Sequence, residues 1–77
     1  MKTISICVPV YNEEINIQNA YDEIINLFGK TLINYNYEII FTDNHSNDKT
    51  QEIITYLCKK NNKVKYIRFR TNLEYDK

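Results

Sequence analysis

An α/β fold on parallel strands, in the order β-α-β-α-β, is what these 77 residues predict. Three observations carry it. Two runs rich in β-branched residues, Ile4–Val10 and Tyr37–Thr42, are apolar almost throughout, as strands covered on both faces are. A polar turn follows each, and then a segment with apolar residues at three- and four-residue steps, the period of a helix with one buried face. A third strand, Val64–Phe69, closes the series. Strands joined through helices pair in parallel, because tight hairpins are not available to them.

Each element follows from its residues. Ser5 is the one polar interruption of the first strand, and Pro9 sits near its end, where a missing backbone donor is tolerated. Asn12 is expected to cap the first helix. Ile17, Ala20, Tyr21, Ile24, Leu27 and Phe28 form its apolar face, and Gly29 is expected to end it in the left-handed conformation. Residues 31–36 read as a loop anchored by Leu32 or Ile33. Tyr37–Thr42 is the second strand and Asp43–Asn47 a polar turn. Asp48 and Gln51 have capping-box spacing, and Thr50, Ile53, Ile54 and Leu57 give the second helix its inward stripe. Asn61 and Asn62 stop it. In the third strand Val64 and Tyr66 share one face, Ile67 and Phe69 the other. Arg70–Lys77 gives no assignment. Right-handed crossovers put both helices on one side of the sheet if the strands step in one direction. Strands this apolar also want cover on the second side. More protein, or self-association through the uncovered sheet, is therefore expected.

Composition excludes several classes. Lys plus Arg and Asp plus Glu are both 10, so the net charge is zero, which argues against a dominant electrostatic grip on nucleic acid or an anionic membrane. The basic stretch Lys59, Lys60, Lys63, Lys65, Arg68, Arg70 reads as a solvated helix end and strand. No run approaches the ~20 apolar residues of a membrane span. The N-terminus lacks the pattern of a signal peptide, so a cytoplasmic location is expected. Cys7 and Cys58 have no metal spacing and are expected as reduced, packed thiols. Gly29 is the sole glycine, which excludes a glycine-rich phosphate loop. A chain this short buries only roughly 60–65% of its unfolded surface, so its stability is expected to be marginal.

The two turns sit at the same end of neighbouring strands, where open α/β sheets bind nucleotides. Asp43 ends the second strand, and a side chain there is expected to point into the crevice between strand ends. A carboxylate or carboxamide oxygen can accept the N3 proton of a pyrimidine, and Asn44 can both donate and accept. Tyr11 can stack on a base. Glu13 can bond a ribose hydroxyl or the base. Each has a structural reading too: Asp43 and Asn44 as turn residues bonding backbone, Tyr11 as packing, Glu13 and Glu14 as acids at a helix N-terminus. His45, the only histidine, could touch a phosphate or be polar surface. Ser46 and Asp48 are most simply cap and turn residues.

Val8-Pro9-Val10-Tyr11-Asn12-Glu13-Glu14 is similar to the first motif of family 2 glycosyltransferases. Tyr37-Glu38-Ile39-Ile40-Phe41-Thr42-Asp43-Asn44-His45-Ser46-Asn47-Asp48-Lys49-Thr50 resembles their second, which usually reads two aspartates, glycine, serine, any residue, aspartate, glycine, threonine. Asn44 stands for the second aspartate, an exchange the family tolerates, and His45 and Lys49 stand for the glycines. The pattern most resembles the branch using polyprenyl-phosphate acceptors and covers roughly residues 3–72. The resemblance implies a Rossmann-like, GT-A-type domain of which residues 1–77 form the nucleotide-binding part. It implies a nucleotide pocket lined by Pro9, Tyr11 and Glu13, with Asp43 and Asn44 on the base. A nucleotide sugar, a UDP-sugar first, is the implied donor. Mg²⁺ or Mn²⁺ is implied for the full-length family, with metal ligands, acceptor site and catalytic base beyond residue 77. No catalytic residue is assigned here, and the 77 residues alone are expected to transfer no sugar. Asn72 falls where the family commonly has arginine-asparagine-phenylalanine-glycine; the match Thr71-Asn72-Leu73-Glu74 is partial.

Two other classes stand beside this. One is a non-catalytic remnant that holds a nucleotide or partner without turnover. The other is a phosphoacceptor receiver domain with Asp43 modified, which places its aspartate on the third strand rather than the second.

Overall fold

β1 (Thr3–Val10), α1 (Ile17–Lys30), β2 (Asn36–Asp43), α2 (Thr50–Lys60) and β3 (Val64–Arg68) follow one another in a computed structural model that describes residues 1–70. The partial match around Asn72 lies outside the described residues. The sheet order is β1-β2-β3, with β2 central and parallel to both neighbours. The strands therefore step in one direction, and both helices pack on the same face.

Register and the two-residue period of a strand decide what each face carries. Val8 aligns with Phe41 and Val10 with Asp43, while Phe41 aligns with Tyr66 and Asp43 with Arg68. On the helix side Ile39, Phe41, Val64 and Val10 join Ile17 and Tyr21 of α1 and Ile54 and Leu57 of α2 in one core. Each fully buried side chain of this size contributes about 1.5–3 kcal/mol. The inward stripe read for α2 is the one observed: Thr50, Ile54 and Leu57 are buried and Ile53 packs against the core.

The opposite face is open. Thr3, Ser5, Cys7 and Pro9 are exposed and Ile67 is 51% exposed. The strands thus alternate, although their composition reads as burial on both sides. Cys7, expected to be packed, lies on this open face; Cys58 is half-buried, and burial pushes its thiol up while Lys65 opposes the shift.

Local signals differ from expectation at two helix ends, and at a third the end residue does more than stop the helix. α1 begins at Ile17, and Asn12 does not cap it; the Glu13 carbonyl takes the N–H groups of Asn16 and Ile17 at 2.8 and 3.1 Å instead. Gly29 is an ordinary helical residue, since φ is positive only at Asn12 and His45 among the described residues. The helix ends one residue later, with the Thr31 and Leu32 N–H groups both bonding the Leu27 carbonyl. Leu32, half-buried, anchors the loop, whereas Ile33 is exposed. The third end is that of α2 at Asn61, where the stop was foreseen but the side chain's role was not. Its Nδ2 bonds both the Tyr21 and Tyr37 hydroxyls at 3.0 Å, and its Oδ1 accepts from the Lys63 N–H, which ties α1, β2 and the β3 entry together.

Gly29 gives a direct test. An added Cβ meets nothing within 4 Å. Gly29→Ala should stabilise the chain by about 0.5–1 kcal/mol, because glycine costs a helix that much backbone entropy. A urea titration that shows destabilisation would contradict the helical assignment.

Candidate functional site: the rim where two turns meet

The turns after β1 and β2 are joined by bonds that run both ways. Asn12 N–H donates to Ser46 Oγ at 2.9 Å, Glu13 N–H to Thr50 Oγ1 at 2.9 Å and Glu14 N–H to Asp48 Oδ2 at 3.3 Å. In return Asn47 N–H donates to Asn12 Oδ1 at 2.7 Å and Lys49 N–H to Glu14 Oε1 at 2.8 Å. Asn44 N–H closes the inner end on the Val10 carbonyl at 3.0 Å. Backbone donors at a helix start need partners. Here each turn supplies them to the other.

This explains the capping pattern. Asp48 Oδ1 takes the Thr50 N–H at 2.9 Å and its hydroxyl at 2.5 Å. The side chain that accepts the Lys49 N–H is that of Glu14, from the other turn, rather than that of Gln51. Burial alone would push the Asp48 carboxyl up. The Thr50 hydroxyl and the backbone N–H groups of Thr50 and Glu14 outweigh it and hold Asp48 below the ordinary carboxylate range.

Asp43 lies on the helix side of the sheet, fully buried. The reading of its side chain as pointing into the crevice is therefore corrected by register: it shares a face with Val10 and Phe41. Its Oδ1 accepts from Ser46 N–H at 2.9 Å and Ser46 Oγ at 2.6 Å, and its Oδ2 from the Tyr66 hydroxyl at 2.5 Å. Arg68 Nε stands 3.9 Å from Oδ2, and Arg68 Nη2 donates to the Ser46 carbonyl at 3.0 Å. Burial first, then the bond to Asp43, pushes the Tyr66 phenol well above its ordinary value, so it stays a donor.

The crevice itself opens on the other side of the same rim. It holds about 250 Å³ and is lined by Pro9, Val10, Tyr11, Glu13, Thr42, Asn44 and Phe69. Four of the five residues singled out from sequence meet here: Pro9, Tyr11, Glu13 and Asn44. Tyr11 is 40% exposed, so much of its side chain is open to a ligand. Glu13 Oε1 accepts from Asn16 Nδ2 at 3.1 Å. Thr42 and Phe69 went unnoticed in sequence; strand alternation was the available signal, since Thr42 pairs with Pro9. Pockets for whole drug-sized ligands run to roughly 300–1,000 Å³, so this volume suits a single ring system. A larger depression, about 520 Å³, lies along α1 between Asn19 and Asn26, where no second element converges on it. Among the described residues no three His, Cys, Asp or Glu side chains gather as metal ligands, and both aspartates at the rim are already committed to donors.

Residues 5–76 match the profile of glycosyl transferase family 2. The chain belongs to that family. Similar curated proteins include a dolichyl N-acetyl-alpha-D-glucosaminyl phosphate 3-beta-D-2,3-diacetamido-2,3-dideoxy-beta-D-glucuronosyltransferase of Methanococcus voltae, 39% identical over 72 residues, which are 94% of this chain and 21% of that protein. A dolichyl-phosphate beta-glucosyltransferase of Mus musculus is 33% identical over 76 residues, covering 92% of this chain and 24% of its own length. A GalNAc(5)-diNAcBac-PP-undecaprenol beta-1,3-glucosyltransferase of Campylobacter jejuni is 32% identical over 66 residues, covering 86% and 20%. The chain thus spans about a fifth to a quarter of the length of these relatives. No helix among the described residues is long and apolar enough to cross a membrane.

The family motif explains one backbone feature. His45, standing for a motif glycine, has φ 66°, a conformation that costs a residue with a Cβ about 1–2 kcal/mol. Its Nδ1–H donates to the Phe69 carbonyl at 3.1 Å, which offsets part of that. The other glycine position, Lys49, has φ −85° and needs no glycine.

Proposed function

We propose that this chain forms the nucleotide-binding part of a glycosyltransferase that moves a sugar from a nucleoside diphosphate, a UDP-sugar first, to a polyprenyl phosphate or a cell-envelope glycan. The observation that carries the reading is the meeting of Tyr11 and Asn44, from different turns, on one crevice of base-ring size at the carboxyl ends of parallel strands. Tyr11 offers a stacking face. Asn44 offers an acceptor and a donor to the N3 edge of a pyrimidine. Glu13 stands beside them for a ribose hydroxyl, and Pro9 lines the same crevice. Asp43 serves the base indirectly, by holding the turn that presents Asn44.

In the whole enzyme an acceptor oxygen attacks the anomeric carbon of the sugar, and the nucleoside diphosphate leaves. A divalent cation, Mg²⁺ or Mn²⁺, supplies charge neutralisation on the diphosphate when bound. The acids described here do not fit that role, so its ligands come from elsewhere in the protein. These residues bind and orient the nucleoside.

Titration of the chain with UDP, with and without Mn²⁺, tests this. Saturable binding is expected, with little metal dependence. Tyr11→Ala should weaken it roughly tenfold, since stacking on an aromatic ring is worth about 1–3 kcal/mol per base. Binding unchanged in both Tyr11→Ala and Asn44→Ala, or absent from a cooperatively folded chain, would reject the reading.

A further inference from the structure

We infer that Tyr66 and Arg68 of β3 are positioning residues for nucleobase recognition, acting through Asp43 and Ser46 on the turn that carries Asn44. The inference rests on the nucleotide reading above and names residues outside both sequence motifs.

The geometry is that of a clamp. From one side the first turn holds the second by the bonds already described. From the other side the end of β3 holds it. The Tyr66 hydroxyl reaches Asp43 Oδ2 at 2.5 Å, and Arg68 Nη2 reaches the Ser46 carbonyl at 3.0 Å. Phe69 N–H bonds the Asp43 carbonyl at 2.9 Å, and its own carbonyl takes His45 Nδ1–H at 3.1 Å. Asn44 lies between residues held on both sides, and its own N–H is tied to Val10. Its position relative to Tyr11 is therefore set jointly from β1, through Val10, and from β3. Arg68 Nε is buried without a hydrogen-bond partner, 3.9 Å from Asp43. Its charge faces a carboxylate that accepts three other donors. Such a group contributes mainly orientation and field here, because its own bond goes to Ser46.

Two variants test this in the 77-residue chain. Tyr66→Phe keeps the ring and removes only the hydroxyl; Arg68→Met keeps the stem and removes the donors. In each, uridine, UMP and UDP should weaken by the same factor, roughly tenfold, the scale of one lost hydrogen bond to a charged group. Inorganic pyrophosphate should bind as it does to the parent. Measurements well below the melting temperature keep the folded fraction constant, so a purely structural role would lower melting and leave these affinities alone. Amide hydrogen exchange gives a reading without ligand: the Ser46 and Asn47 amides should exchange roughly tenfold faster in Tyr66→Phe, with α1 amides unchanged. Uridine affinity within twofold of the parent in both folded variants would overturn the inference. If the parent binds no uridine or UDP, the nucleotide reading fails by itself, and exchange decides the clamp: unchanged Ser46 and Asn47 protection overturns it.

Discussion

Asp43→Ala should cost this chain about 3–5 kcal/mol of folding free energy. The carboxylate is fully buried and accepts from Ser46 N–H, Ser46 Oγ and the Tyr66 hydroxyl. Each buried donor left without a partner costs about 1–3 kcal/mol, and the loss also leaves the Arg68 charge without its nearest counter-ion. At roughly 0.05–0.15 kcal/mol per residue these 77 residues have about 4–12 kcal/mol in all, so the variant should lose a large part of its stability. Urea unfolding of Asp43→Ala against the parent measures it, and a difference under about 1 kcal/mol would refute the buried-anchor role. The consequence for function is direct. Loss of nucleotide binding in Asp43→Ala does not demonstrate contact with the base, because the turn goes with it. Tyr11→Ala, at an exposed ring, is the cleaner probe.

Thr50→Val should be the next largest, at about 2–3 kcal/mol. The two side chains have nearly the same shape, so the fully buried site stays filled. What is lost is the acceptor for Glu13 N–H and the hydroxyl donor to Asp48. Thr50→Ser keeps both bonds and should recover most of the loss. The effect depends on pH with a definite sign. Asp48 titrates below the ordinary carboxylate value when folded, so its contribution is fully present above about pH 3.9 and is lost as pH falls through the lower folded value. The Thr50 hydroxyl, which valine lacks, supplies one of the bonds that hold it there. The stability gap between parent and Thr50→Val should therefore be widest near neutrality and narrow in acid. A gap that widens below pH 4 would show that Asp48 is not held by Thr50.

The order of elements and the faces of α2 and β3 were legible because hydrophobic period is a strong signal and these segments keep it. Tyr11, Glu13 and Asn44 were placed at one rim because two turns at the ends of adjacent parallel strands must share it, and Pro9 was added by the family motif. Asp43 was misjudged for a physical reason. Strand parity, counted from Phe41, puts residue 43 on the covered side, but a charged residue at a strand end reads naturally as exposed. Asn12 misled because capping preference describes local competition for backbone donors, and here the partner was a turn more than thirty residues away. Gly29 misled because the helix runs on to Lys30 and closes through the Thr31 and Leu32 N–H groups on the Leu27 carbonyl, with no left-handed residue. The role of Ser46, Asp48 and Thr50 as bridges had no local signature, because their partners are backbone groups that every residue carries.

The cross-stitching of the two turns has a consequence for how such a chain can vary. Most surface loops tolerate a gained or lost residue at small entropic cost. Here the N–H groups of residues 12, 13 and 14 each meet a side chain of the other turn, those of Ser46, Thr50 and Asp48. One extra residue in either turn would misplace several of these bonds at once. The spacing of the two turns is thus tied together, and descendants can drift in side-chain identity far more freely than in spacing.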